Sequence, residues 1–287
     1  MHFLALAVCF SVAVSWWLRQ AAAWRLDLGQ MVWWNYAAAG AACLWLLHPR
    51  LDRHALAALP WGLVLLLGVV LPGLFVIMGR AVRSAGIVRA DTAQRLSLLL
   101  SLLAAFTLFR QRIDAWQWLG LALGLPALAA MLARPRAAVS AAQRGGGSAL
   151  WLCAVWLGYA LVDVLLKLVA LRGGDFGTTL QSSFVLAFVF MGAAQLWRMA
   201  RGARADVRSL GAGLLLGLLN FADIDLYVRA HISLHANPAV VFAGMNLGVI
   251  ALSALLGMGL LREPTSRVNR LGLVLAGLAV AALAQSA

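Results

Sequence analysis

Charge is what this sequence has least of. Asp, Glu, Lys and Arg make up 11% of its 287 residues, hydrophobic residues 63%, and the mean hydropathy is +0.89. A water-soluble domain carries roughly a quarter of its residues as charges, so this composition excludes one and leaves an integral membrane protein. Cysteine is also sparse. Cys9, Cys43 and Cys153 all fall within apolar runs, which excludes a disulfide framework or a zinc spacing and leaves small packing residues. No nucleotide-binding motif occurs, so nothing points to direct use of ATP. No convergent set of nucleophile, base and metal ligand is visible, which argues against an enzyme, and neither a metal nor a cofactor is expected.

What the chain does have is long apolar runs. A crossing of the hydrocarbon core needs roughly 20 apolar residues. Ten such runs are bounded by arginine, proline or glycine clusters, near residues 1–18, 29–47, 56–79, 86–108, 116–133, 149–170, 178–198, 208–231, 237–261 and 268–285. Each is continuous and rich in Leu and Ala, and too long for the alternating strands of an outer-membrane barrel, so the fold class is all-α integral membrane with ten spans. Residues 3–14 resemble the apolar core of a signal peptide. No basic residue precedes them, however, and Trp16, Trp17 and Arg19 fit an interfacial anchor, so the segment is read as a retained first span.

The formal charge of +13 would suggest nucleic acid in a soluble protein. Here the cations sit between spans, which is the signature of membrane orientation, and no nucleic-acid partner is expected. Odd-numbered loops hold fifteen of them (Arg19, Arg25, Arg80, Arg83, Arg89, Arg134, Arg136, Arg144, Arg198, Arg201, Arg204, Arg208, Arg262, Arg267, Arg270). Even-numbered loops hold seven (Arg50, Arg53, Arg110, Arg112, Lys167, Arg172, Arg229). The bias puts the odd loops in the cytoplasm and both termini outside.

One stretch, RPRAAVSAAQRGGGS at residues 134–148, has the composition of a linker and divides the spans five and five. The halves align without gaps at an offset of 152. Arg110 then falls on Arg262, Gly120 on Gly272, Ser101 on Ser253 and Gln94 on Asn246. An odd number of spans per half inverts the second copy in the membrane. Residues 1–133 and 149–287 are therefore expected to be inverted five-helix repeats. Gly120 with Gly124, and Gly272 with Ala276, form small-xxx-small pairs that predict packing of the fifth span on the tenth.

With these features the chain resembles the drug/metabolite transporter superfamily, in particular its ten-helix EamA-type members. The resemblance covers the whole chain and rests on the ten spans, the two repeats and the segment LLREPTSRVNRLGL, with Glu263, Pro264, Asn269 and Gly272. The first repeat departs from that pattern by carrying Gln111 where the glutamate would fall. The resemblance implies a transporter and identifies no substrate.

Ionisable groups inside a span cost about 2.5–3.5 kcal/mol each, so each invites a functional reading once pairing has been considered. Three aspartates have a cation four residues on: Asp91 with Arg95, Asp163 with Lys167, and Asp225 with Arg229. Each pair reads either as a structural ion pair or as a gate or charged substrate contact, with an interfacial position for Asp163 and Lys167. Asp223 has no cation at helical spacing and lies one turn from Asn220 and from Tyr227. It is the candidate proton-coupling or substrate-binding acid.

His231 and His235 stand at a helix end without a third ligand, so no metal site is expected. Asn237-Pro238 reads as a cap and first residue of the next helix. Asn35 and Tyr36 interrupt span two, and an offset of 148 lays Asn35 on Ser183, beside Gln181 and Ser182. Gln94 and Asn246 are the matched polar positions of spans four and nine. Polar groups at matched depth in both halves suit a midplane site at the repeat interface, although each alone also suits an interhelical hydrogen bond. Trp33 and Trp34 fit an interfacial belt or an apolar pocket, and Pro72-Gly73 predicts a kink and a hinge in span three.

The leading functional reading is a secondary transporter of the bacterial inner membrane. It moves a small organic metabolite or amphiphilic compound by alternating access, driven by protons or by the substrate's own gradient. A lipid-linked carrier or flippase of the same fold is the alternative, and an intramembrane enzyme a more remote one. The expected partners are a small-molecule substrate and membrane lipids, with the protein a monomer or homodimer.

Overall fold

The computed structural model of the chain describes residues 1–85, 87–110, 113–132, 147–172, 176–259 and 267–285. Among these residues every regular element is a helix: α1 (His2–Ala23), α2 (Leu28–Leu47), α3 (Arg53–Ala57), α4 (Trp61–Ala85), α5 (Ile87–Thr107), α6 (Ala115–Leu132), α7 (Gly147–Ala170), α8 (Phe176–Ala200), α9 (Val207–Ser233), α10 (Pro238–Gly259) and α11 (Arg267–Gln285). Long helices stand at each of the apolar runs, and α3 is an addition. α1, α4, α7, α8 and α9 are long and apolar enough to cross a bilayer, and α5, α10 and α11 carry shorter apolar stretches. The protein is a multi-pass membrane protein.

The scarce acids mark helix starts. Asp27 accepts from the Gln30 amide, Asp52 from Ala55, Asp114 from Gln117, and Asp206 from both Arg208 and Ser209. Each satisfies first-turn N–H groups that have no carbonyl partner within the helix. α2 ends where His48 takes a left-handed conformation (φ 43°, ψ 55°) immediately before Pro49.

One boundary differs from expectation. The third run was expected to begin at residue 56, but α3 ends first and α4 starts at Trp61. Pro60 cannot donate a hydrogen bond backwards, and its carbonyl accepts from Leu63 and Val64 at the new start. α4 continues through Pro72 and Gly73 as one helix. α9 runs to Ser233, with His231 in its last turn, as expected, and fully buried.

The helices pack in a pattern that nearly survives exchange of the halves, with α1, α2, α4, α5 and α6 traded for α7, α8, α9, α10 and α11. α1 lies along α9 as α7 lies along α4. α2 lies along α9 as α8 lies along α4, and α5 packs on α7 as α10 packs on α1. α2 with α8, α5 with α10 and α6 with α11 meet their own counterparts. The exchange is incomplete: α7 also packs on α9 and α10 on α11, contacts that α1 with α4 and α5 with α6 do not match.

Residue by residue, the same exchange runs along α2 and α8 at an offset of 148. Gly40 lies beside Gln181, and their counterparts Phe188 and Trp33 stack with ring centroids 5.7 Å apart. Gly29 lies beneath Gln195, and the counterparts Gly177 and Leu47 also touch. Tyr36 and Phe184 are counterparts of each other and lie 6.2 Å apart.

Close approach of α2 and α9 depends on missing side chains. A Cβ on Gly213 would lie 2.6 Å from the Met31 carbonyl oxygen, and one on Gly217 would collide with the Asn35 carbonyl, neither of which can move aside as a side chain could. Gly217→Ala is therefore expected to destabilise the purified protein by about 1–3 kcal/mol, read as a lower thermal unfolding midpoint. On the same helix a Cβ at Gly211 meets nothing within 4 Å. Gly211→Ala should hold the midpoint or raise it by gaining about 1 kcal/mol of helix propensity. Equal midpoints for the two variants would contradict the close contact.

Candidate functional site

A set of buried polar groups lies along the α2–α8 pair, with the Asn35 backbone against Gly217 of α9. Asn35 is 0% exposed, and neither of its amide atoms has a hydrogen-bond partner among the described residues; the same holds for Tyr36 Oη and Gln181 Oε1. Gly40 brings α2 close to Gln181, with 3.6 Å between a Cβ built there and Nε2. The Tyr36 ring faces Phe184, which meets Phe221 edge-on at 6.4 Å. Asn220 of α9 lies one turn from Gly217, the residue that abuts Asn35, and is itself nearly buried. An unmatched buried polar group costs about 1–3 kcal/mol, which marks these positions as candidates for a bound water or ligand. Amide and phenol groups framed by aromatic rings suit a small polar or amphiphilic molecule.

The remaining candidates of the expected midplane site do not all join this cluster. Ser183 donates to the Thr179 carbonyl (2.8 Å) and Asn246 Nδ2 to the Phe242 carbonyl (3.0 Å), each within its own helix. Gln94 stands on α5, which packs on α4, α7 and α10 rather than along α2 or α8. Asp223 has one carboxylate oxygen buried without a partner, and its carboxyl lies beside Ser11 of α1.

The expected pairing of Asp163 with Lys167 is not made. Asp163 accepts from Ser101 Oγ of α5 (2.6 Å) and Tyr227 Oη of α9 (3.0 Å), while Lys167 Nζ donates to the carbonyls of His235 (3.0 Å) and His231 (3.5 Å). Neighbouring helices offer each group a better partner than its own helix does: hydroxyls for the acid, and for the ammonium the partly negative carboxyl end of α9. Lys167 stands in the last turn of α7 and is 1% exposed, buried against the end of α9.

His231 sits between the Tyr227 and Phe242 rings with neither ring nitrogen partnered. Asp225 and Arg229 do pair, at 2.8 Å. Arg95 is buried, and the side chain of Asp91 lies outside the described residues, as do Gln111, Glu263 and Pro264.

α6 and α11 pack side by side. A Cβ on Gly120 would press on Leu283 (2.6 Å) and on the Ala279 carbonyl, and one on Gly124 on Leu247 of α10 (2.7 Å). Gly272 and Ala276 are buried on α11.

A second polar assembly, at the α1–α2 and α8–α9 turns, went unread in the sequence. Arg198 grips Asp27 with two bonds, Nη1 to Oδ1 at 3.0 Å and Nη2 to Oδ2 at 2.6 Å, and also donates to Gln195 (2.9 Å). Gln30 donates to the Arg204 carbonyl and accepts from the Asp206 amide; Ser209 accepts from the Asp27 amide and donates to Asp206. The one available signal was the D-x-x-Q spacing of Asp27 and Gln30 at a helix start.

Three comparisons bear on identity. A family model described as the EamA-like transporter family matches residues 1–133. A protein of Haemophilus influenzae described as "Uncharacterized protein" is 38% identical, over 96% of this chain and 94% of its own length. The chain belongs to the EamA-like transporter family, within the drug/metabolite transporter superfamily. A solved structure titled "Crystal structure of protein" matches this EamA-like transporter with a TM-score of 0.72 at 15% identity. It covers 99% of this chain and 96% of that one, a likeness of fold alone.

Among the described residues of the EamA-like transporter, two shallow cavities lie at helix ends. One of about 370 Å³ is lined by Leu46, Leu47, His48, Pro49, Arg50, Phe176, Gly177, Thr178 and Arg229. Another, of about 300 Å³, is lined by Trp17, Trp24, Leu26, Arg208, Gly211, Ala212 and Leu215.

Outside the spans, the Arg198 guanidinium holds the Asp27 carboxyl below its ordinary value of 3.8, against the opposing effect of partial burial. A depressed carboxyl contributes stability that is fully present above the ordinary value and is lost as pH falls through the folded value. Asp27→Asn should therefore lower the thermal midpoint by a constant amount between about pH 5 and 8, with the gap closing only below about pH 4. A gap that fades between about pH 7 and 6 would assign the effect to another group.

Proposed function

We propose that this EamA-like transporter is a ten-span secondary transporter of the bacterial inner membrane that moves a small organic metabolite or amphiphilic compound by alternating access. Its working parts are two inverted five-helix units, residues 1–133 and 149–287, joined by the 134–148 linker. The observation that carries this reading is the exchange of contacts along α2 and α8: the pairs Gly40–Gln181 and Trp33–Phe188 trade places, and Tyr36 meets its own counterpart Phe184. Contacts that map onto themselves when two segments are swapped are what a two-fold axis between them produces. A site on such an axis can be opened to either side by rocking one unit against the other.

Beside that axis stand the unmatched polar atoms of Asn35, Tyr36 and Gln181, which support it as the substrate-holding position. Asp223, off the axis and against α1, is the acid that would couple transport to protons. The odd loops face the cytoplasm and both termini face outward, as the arginine bias favours.

A screen of water-soluble metabolites for thermal stabilisation of the purified protein tests the site, since a ligand of the folded state raises its midpoint. At least one solute should raise the midpoint saturably in the wild type, with affinity reduced about tenfold or more in Asn35→Ala and Gln181→Ala, a loss of about 1.4 kcal/mol. A solute that stabilises both variants as well as the wild type would move the site elsewhere. In proteoliposomes the same solute should cross, and Asp223→Asn should remove any response to an imposed proton gradient. Movement of a labelled lipid instead would identify a lipid carrier.

A further inference from the structure

Where α1 ends and α9 begins, the two helices together line the cavity of about 300 Å³, with Trp17, Trp24 and Leu26 on one side and Arg208, Gly211 and Leu215 on the other. The Trp17 indole is fixed in place. Its N–H donates to the Ala212 carbonyl (2.9 Å), and its ring meets that of Trp24 edge-on at 5.6 Å. Opposite, a Cβ built on Gly211 meets nothing within 4 Å, so this glycine leaves an open notch in the surface of α9.

The α9 wall has an order. Arg208, Gly211 and Leu215 follow at spacings of three and four and so share one face, which Leu218 continues; all four are exposed. From the helix start inward, that face offers a cation, a gap and then bare hydrocarbon. Arg25 stands in the turn between the lining residues Trp24 and Leu26 and is exposed as well. Residues 24–27 and 198–209 hold five arginines against two aspartates, so the surroundings are positive. Both aspartates are engaged: Asp27 by Arg198, and Asp206, which attracts Arg208, by the Ser209 hydroxyl and two amides.

We propose that this cavity is a binding site for an anionic phospholipid, with the phosphate at Arg208 and Arg25, the first carbons over the Gly211 notch and an acyl chain along Leu215 and Leu218. An anion and hydrocarbon are wanted at adjacent points, at a level where tryptophans mark the membrane surface, and a phospholipid supplies them in that order. A free phosphate leaves the leucine face bare, and a zwitterionic lipid brings its own cation against the arginines. The volume is at the lower end for ligand sites and fits a headgroup and its first carbons, with the rest of the lipid in the membrane. Because α1 belongs to the first half of the chain and α9 to the second, the bound lipid braces one half on the other, beside the Asp27–Arg198 tie. The cavity shares no lining residue with the seam of Asn35, Tyr36 and Gln181.

The test uses full-length protein purified in an uncharged detergent and stripped of lipid. Three probes are titrated: dioleoyl phosphatidylglycerol, dioleoyl phosphatidylcholine, and glycerol phosphate as the anionic headgroup alone. The thermal unfolding midpoint reports binding to the folded state, and native mass spectrometry counts retained lipid. Phosphatidylglycerol should raise the midpoint saturably, and the other two should act with affinity weaker by about tenfold or more. Arg208→Gln and Gly211→Leu should each weaken phosphatidylglycerol by about fivefold or more, with lipid-free midpoints at or above that of the wild type, since both positions are exposed. Arg53→Gln, which removes an exposed cation beyond the opposite end of α2, should leave binding unchanged.

Equal affinity for phosphatidylcholine would overturn recognition of the charge, and equal affinity for glycerol phosphate would replace the lipid with a soluble anion. Phosphatidylglycerol binding that is unchanged in both cavity variants would place the lipid elsewhere on the protein. A loss in Arg53→Gln as large as in Arg208→Gln would reduce the effect to overall charge and overturn the site. If a cavity variant has a lowered lipid-free midpoint, retained lipid decides: retention at the wild-type level overturns the site, and loss in Arg208→Gln with retention in Arg53→Gln supports it.

Discussion

In hydrocarbon a polar group has only the protein itself to bond to, and this constraint organises the molecule. Helices satisfy their own middles and leave their ends in need, and much of the small stock of acid is placed there: Asp27, Asp52, Asp114 and Asp206 each serve a first turn. The same constraint sends Lys167 to the carbonyl end of α9 and Asp163 to two hydroxyls, in preference to each other. Where helices must come close, glycine replaces side chains, as at Gly213 and Gly217 against α2. Against this background the unmatched buried atoms among the described residues stand out: those of Trp33, Asn35, Tyr36 and Gln181 along α2 and α8, and those of Asp223 and His231 on α9.

Much of this was legible in the sequence. Apolar runs located the long helices because a membrane leaves few alternatives, and Asn237-Pro238 marked the start of α10 because proline suits a first turn. Asn35, Tyr36 and Gln181 could be picked out because the depth of a polar residue within an apolar run can be counted. Partner choice could not be read in the same way. Spacing along one helix finds Asp225 with Arg229, whose partners share a face, but misassigns Asp163 and Lys167, whose partners come from α5 and α9. The Asp27–Arg198 pair joins residues 171 positions apart and leaves no local pattern except the cap at Gln30. Ser183 and Asn246 shared the right depth but turn back on their own helices, which depth cannot reveal.

The packing of this EamA-like transporter is nearly, but not fully, symmetric. Exchange of the halves nearly preserves the contacts around α2 and α8, where the proposed substrate position lies. The two ends of the same helices differ in their ties, one knotted by Asp27 and Arg198, the other joined by the bond from Thr178 to the Arg50 carbonyl. Fold likeness at 15% identity shows that this architecture tolerates wide sequence change. On the function proposed above, substrate choice would lie with the few side chains in the seam rather than with the scaffold.

The central claim is that the α2–α8 seam is a polar site reached by water and not merely a buried packing contact. Two single-cysteine proteins on a thiol-free background measure this directly: Asn35→Cys in the seam and Val32→Cys one turn away, both at positions that are 0% exposed. Their reaction rates with a small charged methanethiosulfonate are compared in native membranes. The account predicts that Asn35→Cys reacts at least tenfold faster than Val32→Cys. Equal inertness at the two positions would contradict it.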